Sequence, residues 1–372
     1  MLTIDWQRAE LICGQLLAAL RKNVYPYNAP RPQDFIPPAL RKNRLTHARF
    51  LFYACHYMRG TIRSDFAFKR LIGLWEVHPK LFEPSQVRRV GQLELYRELR
   101  EALFYQASEI SSFWFENSRR LSKHWKGDPR RIFFGINEPE EMYRRIVNKG
   151  HNKNGRKEAV VPHEEGFLGF QEKMSSMLAY FLMEAELIPE FRASPAVDFH
   201  LLRILLATEI LVPKDRNKKI RYEHVSVLGI QVLEWYSKKF DVSLVEVGDA
   251  LWLVSTTLCR RAPGNAMFDR HKNEEAGIRN SPQPLVLDWR KANHVRRYVT
   301  TCGSCPVGGQ CSWHVFSGTY YEEGEFAMRA HERPPILFPQ LPRHLRERPP
   351  TAKFEGESED RGTLSLFETP GE

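Results

Sequence analysis

Thr301-Cys302-Gly303-Ser304-Cys305-Pro306-Val307-Gly308-Gly309-Gln310-Cys311 spaces three cysteines as Cys-x2-Cys-x5-Cys, and a fourth, Cys259, precedes them. Thiolates brought together by so short a loop are the donors of metal and iron–sulfur centres. A disulfide framework is the weaker reading. The chain has 6 cysteines in 372 residues, whereas disulfide scaffolds are small and cysteine-dense. The first fifteen residues carry Asp5 and Glu10 and lack a basic start followed by an apolar core, so no secretory signal is expected. No run of eighteen apolar residues occurs, so no membrane span is expected either. A cytoplasmic location follows as the expectation, with the thiols reduced and available as ligands. Zinc is the alternative occupant, although structural zinc more often pairs two Cys-x2-Cys hooks and only one is present here.

Composition points outward from that loop to a polyanionic partner. The net charge is +10, and hydrophobic residues make up 42 % of the chain, enough for a sizeable core. A basic chain of this size favours nucleic acid, against the plainer reading of a solubilising surface. The charge gathers in places: from Arg144 to Lys157, from Lys214 to Arg221, and at Arg260-Arg261, Arg270-His271-Lys272, Arg290-Lys291 and Arg296-Arg297.

Apolar spacing predicts helices almost throughout. Leu11, Ile12, Leu16, Leu17 and Leu20 mark one over residues 5–22. Others are expected over 45–58, 64–76, 91–124, 138–147, 170–187, 199–211, 223–240 and 243–259. Residues 24–44 hold five prolines and read as irregular. Leu285-Val286-Leu287 is a candidate strand. From about Arg333 onward prolines and charges dominate, and an extended tail is expected.

Two further segments carry chemistry. In Ser194-Pro195-Ala196-Val197-Asp198-Phe199-His200-Leu201-Leu202-Arg203 an aspartate opens a helix. Taken alone it is an N-cap, its carboxylate accepting backbone N–H groups at the positive helix end. Upstream, Gly166-Phe167-Leu168-Gly169-Phe170-Gln171-Glu172-Lys173 is a glycine turn leading into an apolar helix. Such a hairpin exposes N–H groups that hold a phosphate without reading sequence.

In order, the chain presents a glycine hairpin with Lys173, then Val197-Asp198-Phe199-His200 with Arg203, then Ala250-Leu251-Trp252 leading to Cys259, then Cys302, Cys305 and Cys311. Over roughly residues 40–315 this resembles the helix-hairpin-helix DNA glycosylase superfamily, in its endonuclease III-like branch with an iron–sulfur cluster. The resemblance implies an all-α fold of two lobes with a C-terminal cluster loop. One lobe is expected from 1–39 and 193–331, the helix-hairpin-helix lobe from 40–192, and a tail from 332–372. It implies double-stranded DNA in the cleft between the lobes and a flipped-out nucleotide. Asp198 matches the essential aspartate, which stabilises positive charge on the deoxyribose as the N-glycosidic bond breaks. Lys173 matches the lysine of the bifunctional members, whose amine forms a Schiff base. Gly169, Gln171 and Arg203 fall at DNA-contacting positions. Cys259, Cys302, Cys305 and Cys311 match the four ligands of a 4Fe-4S cluster.

The chain departs from the pattern in three places. Gln171 stands where a second glycine is usual, Lys173 lies 25 residues before Asp198, and 42 residues separate Cys259 from Cys302. The aromatic run Phe52-Tyr53-Ala54-Cys55-His56-Tyr57 reads mainly as a core helix, with His56 or Tyr57 offered to the flipped base. In the tail, Thr363-Leu364-Ser365-Leu366-Phe367 resembles the bacterial sliding-clamp-binding pentapeptide through Leu364, Leu366 and Phe367. A short apolar plug on a tether suits docking in a groove. The expected function is a monomeric DNA glycosylase. The alternatives are an enzyme of hypermodified-base metabolism on the same fold and a non-catalytic, cluster-bearing DNA-binding protein.

Overall fold

The computed structural model describes residues 2–58, 64–104, 106–147, 165–191, 193, 195–215, 220–259, 292–311, 317–322 and 325–330. The basic stretch at 148–157, most of the insertion after Cys259, the candidate strand at 285–287 and the clamp-like motif lie outside these residues. The described residues are mostly helical. Their buried apolar side chains form two clusters. One runs from Ile36 to Ala193, and the other combines Ala9–Tyr27 with Val197–Leu258 and Val307.

The first cluster is built on α3 (Arg44–Tyr57), α4 (Ser64–Val77), α5 (Pro84–Val90), α6 (Gln92–Glu101), α7 (Ala107–Trp125), α8 (Pro139–Ile146) and α9 (Glu172–Glu184), numbered after α1 (Trp6–Arg21) and α2 (Pro38–Lys42). Helix α3 is apolar nearly all round and is buried from His47 to Tyr57 apart from Arg49, as a helix with no polar face must be. It opens on Asn43, whose side chain accepts the Leu45 and Thr46 N–H groups. Tyr53 stacks on Trp114 at 4.4 Å, and the Trp114 indole donates to the Leu81 carbonyl.

The sequence predicts one helix over 91–124, but α6 and α7 are separate, with Leu103 and Gln106 in the left-handed region at φ 56° and 53°. No Gly or Pro marks that break, so spacing alone gave no signal for it. Residues 24–44 also hold more order than their prolines suggest: a 3-10 turn at Pro32–Phe35 and α2, each with Pro in its first turn.

In the second cluster α1 and α10 (Phe199–Ala207) each pack against α11 (Tyr222–Phe240) and α12 (Leu244–Thr257). Ala9, Ile12, Cys13, Leu16 and Leu17 face it, while Leu11, read from spacing as part of the apolar face, is 47 % exposed. Strand β1 (Leu2–Ile4) pairs antiparallel with β2 (Leu211–Pro213), which stitches the N-terminal segment to the end of α10. Strand β3 (Ile220–Arg221) pairs with β5 (Glu325–Ala330), and β5 pairs with β4 (Ser317–Glu322). This three-stranded sheet was not read from the sequence, since Thr319 is the single β-branched residue of β4 and β5. Helix α13 (Ala292–Val299) precedes the cysteine loop.

A polar knot joins the two clusters. Tyr180 on α9 donates to Asp249 on α12 at 2.7 Å. Arg31 pairs with Glu184 at 2.6 Å and with Asp249 at 3.5 Å, and Gln33 donates to Glu184 at 3.2 Å. Burial pushes the Asp249 carboxyl up to about 6, and the negative Glu184 adds to the rise against the opposing pull of Tyr180 and Arg31. Glu184 is raised as well, chiefly by burial.

Candidate active site and cysteine loop

Asp198 is the N-cap of α10, with extended backbone at φ −120° and ψ 175°. One carboxylate oxygen, Oδ1, accepts the backbone N–H of His200 at 2.9 Å and of Leu201 at 3.0 Å. The other, Oδ2, accepts the indole N–H of Trp252 at 3.1 Å. The residue is buried, 8 % exposed. The helix start therefore attracts an anion there, and α12 supplies a third donor.

His200 lies beside this carboxylate, as its place in the sequence suggests. Its ring meets Trp252 edge-on at 6.4 Å, and its Nδ1 is 3.3 Å from the Arg203 guanidinium. Arg203, expected on DNA, is fully buried instead. It donates to the Ser255 hydroxyl at 2.8 Å and to the Ser255 carbonyl. A residue with no exposed surface offers nothing to a phosphate. Arg203 braces α10 against α12.

The glycine hairpin forms as a turn, with Gly166 at φ 66° and Gly169 at φ 74°, conformations that favour glycine. Gln171 is extended at φ −112°, so the missing second glycine costs no backbone strain there. Its side chain makes no cap bond to α9. Helix α7 holds the turn in place. The fully buried Asn117 amide brackets Leu168, donating to its carbonyl at 2.9 Å and accepting its N–H at 2.7 Å. Arg120 donates to the Gly166 carbonyl at 3.0 Å and to the Glu165 carbonyl at 3.1 Å. Phe167 and Phe170 plug the turn into the first cluster.

Lys173 is exposed on the first turn of α9. It belongs to the helix framework of the first cluster, whereas Asp198 opens a helix of the second. No hydrogen bond or ion pair among the described residues joins the two. His56 and Tyr57 are not offered to a base. Both are buried: His56 takes a hydrogen bond with Asn117 at 2.8 Å, and Tyr57 stacks on Phe104 at 4.0 Å.

Cys259 lies just past α12, and the other three cysteines lie in the 302–311 loop. Cys259, Cys305 and Cys311 pack against the second cluster, and Cys302 is buried. Burial pushes the Cys305 thiol well above its ordinary range, and the negative charges of Cys259, Cys311 and Cys302 push it further. Burial also raises Cys259, opposed by the nearby Arg203 guanidinium. The loop is tightly wound. A Cβ on Gly308 would sit 2.5 Å from the Cys302 carbonyl, so only glycine fits there. Arg8 of α1 clamps the loop by donating to the Gln310 and Thr208 carbonyls.

Four thiols without a histidine or carboxylate are the donor set of a thiolate-ligated iron–sulfur cluster or a four-cysteine zinc. Their donor chemistry suits such a group, but their spacing does not close around one. Among the described residues no three His, Cys, Asp or Glu side chains stand at the spacing of a closed metal site, and none of the six cysteines is in a disulfide. No helix among the described residues is long and apolar enough to cross a membrane. The chain matches no protein-family model, no curated protein and no solved structure.

Proposed function

We propose that this chain is a DNA glycosylase that excises a damaged or modified base from double-stranded DNA. The observation that carries the reading is the three-donor grip on Asp198. An aspartate that merely caps a helix accepts backbone N–H groups at one oxygen. Here the second oxygen is also occupied, by a side-chain donor from another helix. Such a carboxylate is held in one orientation, as a pre-organised group that stabilises a developing sugar cation must be.

In the proposed reaction the N-glycosidic bond breaks, its electron pair leaves with the base, and positive charge builds on the deoxyribose at C1′. Asp198 faces that charge and orients the water, whose oxygen bonds to C1′ while a proton passes from it to the departing base. Gly169 and the uncapped start of α9 contact a phosphate. Lys173, solvent-exposed on the same helix turn, is the candidate for a lyase step in which its nitrogen bonds to C1′ as the base leaves with a proton from the amine; the sugar ring then opens, its oxygen taking a proton from water, to leave a protonated Schiff base. The net charge of +10 supports a polyanionic partner. The tail motif is proposed to dock on a sliding clamp through Leu364, Leu366 and Phe367.

The test is a panel of duplexes carrying uracil, thymine glycol, oxidised guanine or hypermodified thymine. Base release from at least one, with a borohydride-trapped adduct lost in Lys173→Ala if the lyase step operates, is the expected result. Activity confined to hypermodified thymine would favour hypermodified-base metabolism over routine repair. No release from any member would favour a DNA-binding protein in which Asp198 only caps α10.

The cysteines are assigned to a 4Fe-4S cluster held by Cys259, Cys302, Cys305 and Cys311. When bound, such a cluster cross-links the end of α12 to the 302–311 loop. Protein purified without oxygen is expected to show broad visible absorbance, with iron and sulfide in equal amounts. A colourless protein containing zinc would contradict the assignment.

A further inference from the structure

Helix α12 presents Asp249, Trp252 and Ser255 at three-residue intervals, the first bonding α9 and the other two the N-cap and body of α10. Asp249 takes Tyr180 of α9, Trp252 takes Asp198, and Ser255 takes Arg203 of α10. Residues three apart lie along one side of a helix, so α12 carries a polar stripe through an otherwise apolar contact. The middle member of that stripe has a consequence for the chemistry. Backbone bonds to Oδ1 fix where Asp198 sits but leave its carboxylate plane loose, because rotation between a tetrahedral and a planar carbon is broad and roughly two-fold. A donor on Oδ2 removes that freedom. Trp252 supplies it, and its own position is fixed by the α12 backbone and by the edge-on contact with His200.

We propose that Trp252 is a positioning residue for base release: its indole N–H sets the plane of the Asp198 carboxylate toward C1′. This rests on the reading of Asp198 as the carboxylate that faces the sugar. The indole touches no reacting atom. Its effect passes through Asp198, so losing it slows the chemical step and leaves DNA affinity alone.

The experiment replaces Trp252 site-specifically with 3-benzothienylalanine, which keeps the ring shape and lacks only the N–H, beside Trp252→Phe and Asp198→Asn. Single-turnover base release and duplex Kd are measured on a duplex that the wild type processes. The rate is expected to fall about 10–100-fold in the isostere, the size of effect that small misplacements of a catalytic group produce, with Kd unchanged. An isostere at the wild-type rate, with Asp198→Asn inactive, overturns the positioning role and leaves the reading of Asp198 standing. Wild-type rates in all variants overturn both. A second measurement needs no activity and no altered tryptophan. The Trp252 indole N–H resonance should move in Asp198→Asn, because an acceptor becomes a donor. A resonance that stays in place overturns the contact itself.

Discussion

Asp198→Asn is expected to slow base release by about 10²–10³-fold, the usual cost of removing one pre-organised electrostatic contact from a transition state, while duplex affinity persists. The substitution is informative because it separates the two roles of the residue. Asparagine caps helices nearly as well as aspartate, and its carbonyl oxygen accepts the same His200 and Leu201 N–H groups that Oδ1 now holds. The fold of α10 should survive. Its amide nitrogen, however, faces the Trp252 indole as donor against donor, and it carries no negative charge to set against the sugar cation. Melting temperature should therefore drop little, with at most one hydrogen bond lost, about 1 kcal/mol. Single-turnover kinetics and a binding titration on the same preparation check the expectation. Equal rates in variant and wild type would reduce Asp198 to a cap.

Asp249→Asn is expected to stabilise the protein at pH 7.5 by about 1–3 kcal/mol, following from a carboxyl shifted by roughly two pKa units. The side chain is 14 % exposed and sits among Arg31, Glu184 and Tyr180. Its carboxyl is raised from 3.8 to about 6, first by burial. The folded state therefore holds a proton between about pH 4 and 6 that the unfolded chain has released. Stability falls as pH rises through that window, and the full cost stands above about 6. Asparagine keeps an acceptor for the Tyr180 hydroxyl and removes the charge. It also places an amide N–H near Arg31, which offsets part of the gain. Glu184 titrates in the same direction, so some pH dependence persists in the variant. Thermal melting across pH 4–8 checks this: the two curves should converge toward pH 4 and separate above 6. A variant less stable than the wild type at pH 7.5 would mean that the Arg31 pair outweighs the burial of Asp249.

Local features of the sequence carried the helices and their caps. The apolar spacing of α1, α9, α11 and α12 is readable because each has one face against a core, and Asp198 announces α10 by its chemistry as a cap. What escaped the sequence depends on contacts distant along the chain. Trp252 reads as one more apolar residue between Leu251 and Leu253, and its link to Asp198 spans 54 positions. Arg203 reads as a surface cation until α12 closes over it and Ser255 takes its donors. His56 and Tyr57 look like a pocket edge, yet the aromatic packing of Phe52, Phe104 and Trp114 needs them inside. Asn117 gave no signal, since a lone asparagine in a helix is ordinarily solvated. Its bracket around Leu168 exists only because the hairpin folds back on α7.

Counting free base and abasic sites in one reaction tests the central claim most directly. The duplex is whichever member of the panel the wild type processes, and the wild type is run beside Asp198→Asn. Equal molar amounts of free base and abasic site from the wild type, with both products nearly lost in the variant, are predicted. Intact glycosidic bonds after incubation with the wild type, or the same yield from both proteins, would contradict it.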